Sequence, residues 1–307
     1  MVPTPAPAPA EGPADRRAAP PSAPRRVDAA ALRRHLDTAP AAWLAGEVAR
    51  RMADRLSLLR EPPRRILDWG QPLGQAEAAQ RSACPQARLL ALDVEGQPLR
   101  PGRNRWWQRL RPASADDLTP TPGDMLWSNL LLHWVDDLPA LLARWHERLP
   151  TNGMLMFSAF GPDTLAGLRR IWAAQGWGAA CSTWMDMHDL GDALVQAGFR
   201  DPVMDMEQLT LTWESPEALL AELRTLGRNT APQRFAGLRT PRWHEAMRQG
   251  LAEGLRGSQT PDGRLQLRFE IVYGHALRAA PRVPVAAETQ VSVDTLRSMA
   301  RQHRRSP

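Results

Sequence analysis

The stretch Arg65-Ile66-Leu67-Asp68-Trp69-Gly70-Gln71-Pro72-Leu73-Gly74 joins a short apolar run to a turn that contains glycine. A glycine directly after a buried strand lets the backbone approach a ligand closely, because it has no Cβ. About 20 residues further on, a second apolar run ends in Asp93. An acidic side chain at that position can accept hydrogen bonds from both hydroxyls of a ribose. The two segments predict a nucleoside site; the alternative is an ordinary strand–turn–helix with an aspartate placed by chance.

Outward from this stretch, short apolar runs alternate with helical patterns. After the runs that end at Trp69 and Asp93, further strands are predicted at 124–128, 154–160, 203–213 and 268–277. Strands that alternate with helices are typical of a parallel sheet covered on both faces. The sequence therefore predicts a doubly wound α/β fold. The predicted helices cover 28–37, 41–59, 75–83, 138–149 and much of 215–255.

The composition limits the classes of partner. All 39 basic residues are arginine, and the formal net charge is +6. The arginines alternate with acidic residues instead of forming one basic stripe, which argues against a nucleic-acid partner. No apolar run approaches the length of a membrane span. The two cysteines, Cys84 and Cys181, form no CxxC pair and the histidines are scattered, so we expect no metal site and a reducing cytoplasm.

The chain divides into three parts by composition. Residues 1–27 are rich in proline and alanine and are predicted to be a disordered arm. Residues 28–280 carry the strand and helix patterns of one domain, with a helical insertion at about 214–262. Residues 281–307 read as a basic, flexible tail.

The most specific segment is Leu126-Trp127-Ser128-Asn129-Leu130-Leu131-Leu132-His133-Trp134, which resembles the fourth strand and following loop of a class I S-adenosylmethionine-dependent methyltransferase. Within that superfamily the chain is similar to the malonyl-acyl carrier protein methyltransferases of biotin synthesis, over roughly residues 28–278. The resemblance implies a seven-stranded, mostly parallel sheet with a helical lid. It also implies S-adenosylmethionine as cofactor, an acidic acyl carrier protein as partner and a monomeric protein. The further matching segments are 137–139, 157–165, 168–169, 189–191, 197–199 and 223–227.

The resemblance assigns roles to individual residues. Asp68, Gly70 and Gly74 are expected at the methionine end of the cofactor. Asp93 and Val94 are expected at the ribose and adenine, Asp116 and Leu118 beside the adenine, and Asn129, Leu130 and His133 near the sulfur. Arg224 is the expected carboxylate-binding residue, with Arg169 in reserve and Trp134 and Phe160 beside the substrate. No general base is expected, since a carboxylate acceptor is already ionised at neutral pH.

The sequence departs from the family pattern at the first glycine motif, where Pro72 replaces the middle glycine and removes an N–H donor. The tyrosine that often closes over the cofactor is also absent, so this lid is either missing or formed by Trp43 or His35. The same segments resemble a sister branch, the complex I assembly factors associated with arginine hydroxylation. A sister-branch enzyme and a non-catalytic scaffold of the same fold therefore remain alternatives to methyl transfer.

Overall fold

The computed structural model describes residues 27–38, 42–99, 123–235, 237–256 and 263–280. Their strands form one mixed sheet in the order β2-β1-β3-β4-β6-β5. Only β6 runs opposite to the others, since it is antiparallel to both β4 and β5. The strands are β1 (Arg65–Trp69), β2 (Arg88–Leu92), β3 (Met125–Ser128), β4 (Met154–Phe160), β5 (Phe199–Trp213) and β6 (Leu265–Arg278).

Helices cover both faces of this sheet. Two further segments, Arg55–Leu58 and Leu132–Trp134, are short 3₁₀ helices. The α-helices are α1 (Ala29–Thr38), α2 (Trp43–Asp54), α3 (Gln71–Gly74), α4 (Glu77–Ala83), α5 (Leu138–Arg148), α6 (Ala166–Ala174), α7 (Met187–Gln196), α8 (Pro216–Leu226) and α9 (Pro241–Gly254).

Three helix starts follow directly from the local sequence. Asp137, Ser215 and Thr240 each precede a helix and accept a hydrogen bond from a backbone N–H of its first turn. A proline follows within the first turn of each of these helices, where its missing N–H costs no intrahelical bond. Such caps set where α5, α8 and α9 begin.

The core has two layers, one on each face of the sheet. On one face α2, α6 and α9 bury side chains such as Val48 and Leu251. On the other face α5 and α7 bury side chains such as Trp145 and Leu194. Six of the seven residues of β4 are buried, as expected for a central strand covered on both sides.

The predicted fold class is confirmed, with six strands in the described residues instead of the seven that the resemblance implied. All six strands placed from the sequence are present. The helix predicted for 41–59 ends as an α-helix at Asp54 and continues as a 3₁₀ turn. The described part of the insertion contains two helices, α8 and α9. Residues 1–26 and 281–307 lie outside the described residues, so the proposed domain boundaries stay a prediction.

Among the described helices, none combines the length and the apolar character that crossing a membrane would require.

Candidate functional site

The turn after β1 is a single helical turn that accommodates proline. Gly70 adopts a left-handed conformation with φ of +78° and starts α3. The amide groups of Leu73 and Gly74 donate to the Gly70 carbonyl oxygen at 2.9 and 3.1 Å. Pro72 lies within this first turn, where a backbone N–H has no intrahelical partner in any case. The turn is therefore formed, although the N–H donor that a glycine would offer at position 72 is missing.

Asn129 holds this turn in place. Its side-chain amide is fully buried and donates to the carbonyl oxygens of Gly74 and Ala45, at 2.6 and 2.8 Å. The Ser158 hydroxyl donates to the Asn129 carbonyl oxygen at 2.6 Å. One side chain thus joins α2, the turn after β1 and β4. Its amide thus acts on the backbone that surrounds the site, and the cofactor contact expected of Asn129 stays a prediction.

Asp68 is a buried carboxyl group without a partner. It is 2% exposed, and neither carboxylate oxygen has a hydrogen-bond partner among the described residues. Burial raises the pKa of Asp68 to about 7; the neighbouring Gln80 amide opposes the rise and the charge of Glu77 adds to it. Buried polar groups in folded proteins are nearly always paired, so an orphaned carboxyl group is one that a cationic ligand could satisfy.

Asp93 lies just beyond the end of β2, as predicted. Its Oδ1 accepts hydrogen bonds from the amide groups of Glu95 and Gln97, at 2.9 and 2.8 Å. These bonds shape the loop and leave Oδ2 without a hydrogen bond or ion pair to any described residue. Val94 lies in the same loop, where its carbonyl oxygen accepts a hydrogen bond from the indole of Trp69. One oxygen of Asp93 therefore remains available for a ligand hydroxyl.

A small pocket, partly open to solvent, lies beside the turn and α1. It brings together four of the predicted site residues, which are Leu130, His133, Trp134 and Phe160. The structure adds others that come from distant parts of the chain. They are His35, Ala42, Ala45, Pro72, Leu73, Gln75, Thr225 and Leu226.

Aromatic rings form much of the wall. The His133 ring lies 4.9 Å from that of Phe160 and 5.0 Å from that of Trp134, between centroids. Burial lowers the pKa of His133 to about 3, and the nearby His35 adds to this effect. Burial also lowers the pKa of His35. Both imidazoles are therefore neutral at pH 7, and this part of the wall is uncharged.

His35 reaches the cavity from α1, a helix anchored at its start. The imidazole stacks on Trp134 at 4.9 Å between ring centroids. Asp28 caps the helix by accepting from the amide groups of Ala30 and Ala31, and its carboxylate also pairs with Arg234. Of the two candidates for the missing tyrosine, His35 lines the cavity, whereas Trp43 is half exposed and does not.

The two predicted carboxylate-binding arginines lie in different settings. Arg169 donates to the carbonyl oxygens of Thr164 and Pro162, so its guanidinium secures the loop after β4. The reserve role suggested for Arg169 stays a prediction. Arg224 is exposed on the last turn of α8, directly before the lining residue Thr225. It has no hydrogen bond or ion pair with the described residues.

The remaining predictions concern the adenine contacts, the cysteines and a metal site. Asp116 and Leu118 fall in 100–122, outside the described residues. Cys84 and Cys181 are both free thiols. Within the described ranges no cluster of three or more histidine, cysteine or acidic side chains is arranged to hold a metal ion. Sequence reasoning missed Ala42, Ala45, Gln75 and the two lining residues of α8, although the latter belong to the matching segment 223–227.

Comparisons with known proteins give the family. No protein-family model matches the chain. It is 40% identical to a malonyl-acyl carrier protein O-methyltransferase of Gallionella capsiferriformans, over 79% of the chain and 86% of that protein. It is 38% identical to the enzyme of the same name from Halorhodospira halophila, over 81% of the chain and 88% of that protein. A solved structure of a putative methyltransferase from Bacillus halodurans is 11% identical, with a TM-score of 0.47 over 76% of the chain and all of that protein. The chain belongs to the malonyl-acyl carrier protein O-methyltransferase family.

Proposed function

We propose that this protein transfers the methyl group of S-adenosylmethionine to the free carboxylate of a malonyl thioester carried by an acyl carrier protein, as a step of biotin synthesis. The observation that carries the proposal is the 40% identity to a family member over 79% of the chain. The cavity supports it, because half of its lining residues, among them His133, Phe160 and Thr225, come from segments that resemble the family.

The residues of the site fit this cofactor. The partnerless, buried carboxyl group of Asp68 suits the ammonium group of the methionine end. The available Oδ2 of Asp93 suits a ribose hydroxyl. We infer that Gly70 and Gly74 let the backbone approach the methionine end and that Val94 lies against the adenine, with Asp116 and Leu118 as further adenine contacts. Leu130 and His133 would face the sulfur, with Asn129 holding the turn beside them.

The cofactor supplies a methyl group that is already activated by the positive sulfur. The protein's own part is alignment and exclusion of water. The aromatic wall of His133, Trp134 and Phe160 would remove water from the acceptor carboxylate, which strengthens it as a nucleophile. No base is needed, since malonyl carboxylates are ionised at neutral pH. The lowered pKa of His133, about 3, agrees with this, because it makes the imidazole a weak base.

We propose that Arg224 orients the free carboxylate from the rim of the cavity. An arginine guanidinium can hold a carboxylate through two parallel hydrogen bonds. Arg224 is free of partners in the described part of the chain and adjoins Thr225 on the wall. Replacement by lysine would keep the charge but lose the paired geometry. We therefore expect Arg224→Lys to raise KM for the malonyl substrate more than tenfold while the affinity for S-adenosylmethionine stays unchanged.

The direct test uses purified protein, S-adenosylmethionine and a malonyl-loaded carrier protein. We expect one methyl ester on the carrier by intact-protein mass spectrometry, and none when acetyl-loaded carrier replaces the malonyl form. Unmodified malonyl carrier, under conditions in which the protein binds S-adenosylmethionine, would contradict the proposed acceptor.

One observation favours a second function, a scaffold that has lost the cofactor. Pro72 removes a backbone donor from the turn beside the cavity. A calorimetric titration separates the two functions, because micromolar binding of S-adenosylmethionine rules out the scaffold.

We also propose that the protein acts as a monomer in the cytoplasm. The two free cysteines agree with a reducing compartment. Light scattering on the purified protein measures the mass in solution, and a dimer mass would contradict the first part of this proposal.

A further inference from the structure

The segment from Leu223 to His244 carries five arginines and no acidic residue. We name it the arginine ridge; all of it except Ala236 is described. It follows Glu222 and precedes Glu245, so the positive charge is concentrated between two acidic boundaries. Elsewhere in the described chain arginines commonly sit in ion pairs, as Arg50 and Arg51 do with Glu47.

Two of the five arginines make contacts with other residues of the protein. Arg234 pairs with Asp28. Arg239 lies 3.7 Å above the ring of Phe235 and 4.3 Å from that of Trp243, and it donates to the Trp177 carbonyl oxygen. Arg224, Arg228 and Arg242 are exposed and have no hydrogen bond or ion pair with a described residue. The ridge therefore presents three exposed arginines that no described residue neutralises through an ion pair.

Apolar side chains lie among these charges. Leu238 is 98% exposed and Phe235 is 50% exposed. Protein interfaces commonly combine an apolar or aromatic anchor with a polar rim, and arginine is enriched in them. This mixture points to a protein partner more than to a nucleic acid, whose backbone would be met by charge alone.

The ridge is held rigidly along one side. Asn229 donates to the Ala179 carbonyl oxygen at 2.8 Å, and the Ala179 amide donates to Gln233 at 3.1 Å. The rings of Trp177 and Trp243 pack at 5.3 Å between centroids. A surface that is already ordered loses little conformational entropy when a partner binds.

The ridge also borders the mouth of the cavity. Thr225 and Leu226 line the cavity. The backbone of Gly227 packs on the Trp134 ring, so closely that a Cβ would lie 2.7 Å from it. The charge of Arg228 contributes to the lowered pKa of His35, which also lines the cavity. A partner docked on the ridge would therefore hold a tethered substrate next to the opening.

We propose that the arginine ridge is the docking surface for the acidic protein that carries the thioester, with Arg228 and Arg242 as charge contacts and Leu238 as the apolar contact. This inference rests on the proposed function. Arg239 and Arg248 are not counted among the charge contacts. Arg239 is stacked on aromatic rings, and Arg248 is neutralised by Glu245 and Glu217.

The test compares two substrates with one chemistry, the malonyl thioester of the carrier protein and malonyl-pantetheine, which lacks the protein. For the double variant Arg228→Ala with Arg242→Ala, and for Leu238→Ser, we expect kcat/KM to fall at least tenfold with the carrier and to stay within twofold with malonyl-pantetheine. Arg248→Ala is the matched control, since it removes an arginine whose charge is already paired, and it should change neither value more than twofold. Equal losses on both substrates, or no loss on the carrier, would overturn the docking surface.

Binding separates this inference from the proposed function. The apo carrier protein should bind the wild-type protein more weakly as salt rises, and the double variant should bind at least tenfold more weakly at low salt. If the wild type binds the carrier in this manner but methylates neither substrate, the proposed function fails and the docking surface stands. If the variants lose affinity for a single-stranded RNA probe but not for the carrier, the docking surface fails.

Discussion

The side-chain amide of Asn129 donates to the Gly74 carbonyl oxygen at 2.6 Å, across 55 residues of sequence. The same amide reaches Ala45, so α2 and the turn after β1 are joined through one buried group. Replacement of Asn129 by alanine leaves these carbonyl oxygens and the Ser158 hydroxyl without their partner. We expect the free energy of unfolding to fall by about 2–3 kcal/mol and the affinity for S-adenosylmethionine to fall with it.

Urea denaturation and calorimetry measure these two effects. Gln208→Ala removes an exposed amide on β5 and is the matched control, with an expected change below about 0.5 kcal/mol. If Asn129→Ala has the same free energy of unfolding as the wild type, the three hydrogen bonds of the Asn129 side chain contribute nothing to stability.

The two carboxylate oxygens of Asp93 have different roles. Oδ1 accepts the hydrogen bonds that shape the loop, and Oδ2 is available for a ligand hydroxyl. Asp93→Asn keeps an acceptor for the Glu95 and Gln97 amides but turns the second oxygen into a donor group. We expect stability to change little and the Kd for S-adenosylmethionine to rise at least tenfold, or about 1.4 kcal/mol. Calorimetric titration gives the Kd, with Glu95→Gln as the neighbouring control. An unchanged Kd in Asp93→Asn would argue against the ribose contact.

Pro72 is compatible with the helical turn in which it lies. Pro72→Ala restores the N–H, yet the turn is already formed, so we expect the Kd for S-adenosylmethionine to change less than about threefold. Loss of the rigid ring should lower the free energy of unfolding by about 0.5–1 kcal/mol. A tenfold gain in affinity would instead reveal that the missing donor limits cofactor binding.

The buried carboxyl group of Asp68 predicts a pH-dependent stability. Because the folded-state pKa is raised to about 7, the folded protein keeps this proton between pH 4 and 7 while the unfolded chain loses it. Ionisation of the unfolded chain thus lowers the free energy of unfolding by about 1.4 kcal/mol per pH unit in that window, and the effect levels off above pH 7. Asp68→Asn removes this contribution. Relative to the wild type, the variant should gain stability from pH 4 to 7, as urea denaturation would measure; a constant difference would contradict the raised pKa.

Gly227 is needed where its backbone meets the Trp134 ring. A Cβ would lie 2.7 Å from that ring, and the φ of +153° is unusual for residues with a side chain. We expect Gly227→Ala to displace the cavity wall, lower kcat/KM at least tenfold and lower stability by about 1–3 kcal/mol. Gly46→Ala is the control, since nothing lies within 4 Å of its added methyl, and it should raise stability slightly. Normal kinetics in Gly227→Ala would exclude a role for this contact.

The fold was predictable because its signals are local. The strand before Gly70, the aspartate after β2 and the segment ending in Trp134 each have a spacing that a single sequence displays. The hydrogen bonds between distant segments were not predictable, since nothing near Asn129 in the sequence reveals that the carbonyl oxygens of Gly74 and Ala45 both accept from its amide. The same limit applies to Arg169. Its guanidinium donates to two backbone carbonyl oxygens, and no pattern in the sequence identifies these acceptors.

The anchored helix α1 matters for anyone who produces this protein. His35 and its stacking on Trp134 depend on a helix that begins at residue 29 and is clipped to the insertion through Asp28. Trimming the proline- and alanine-rich leader up to residue 26 spares that clip. A truncation ten residues further on would also remove His35, which lines the cavity. A purification tag therefore belongs before residue 27.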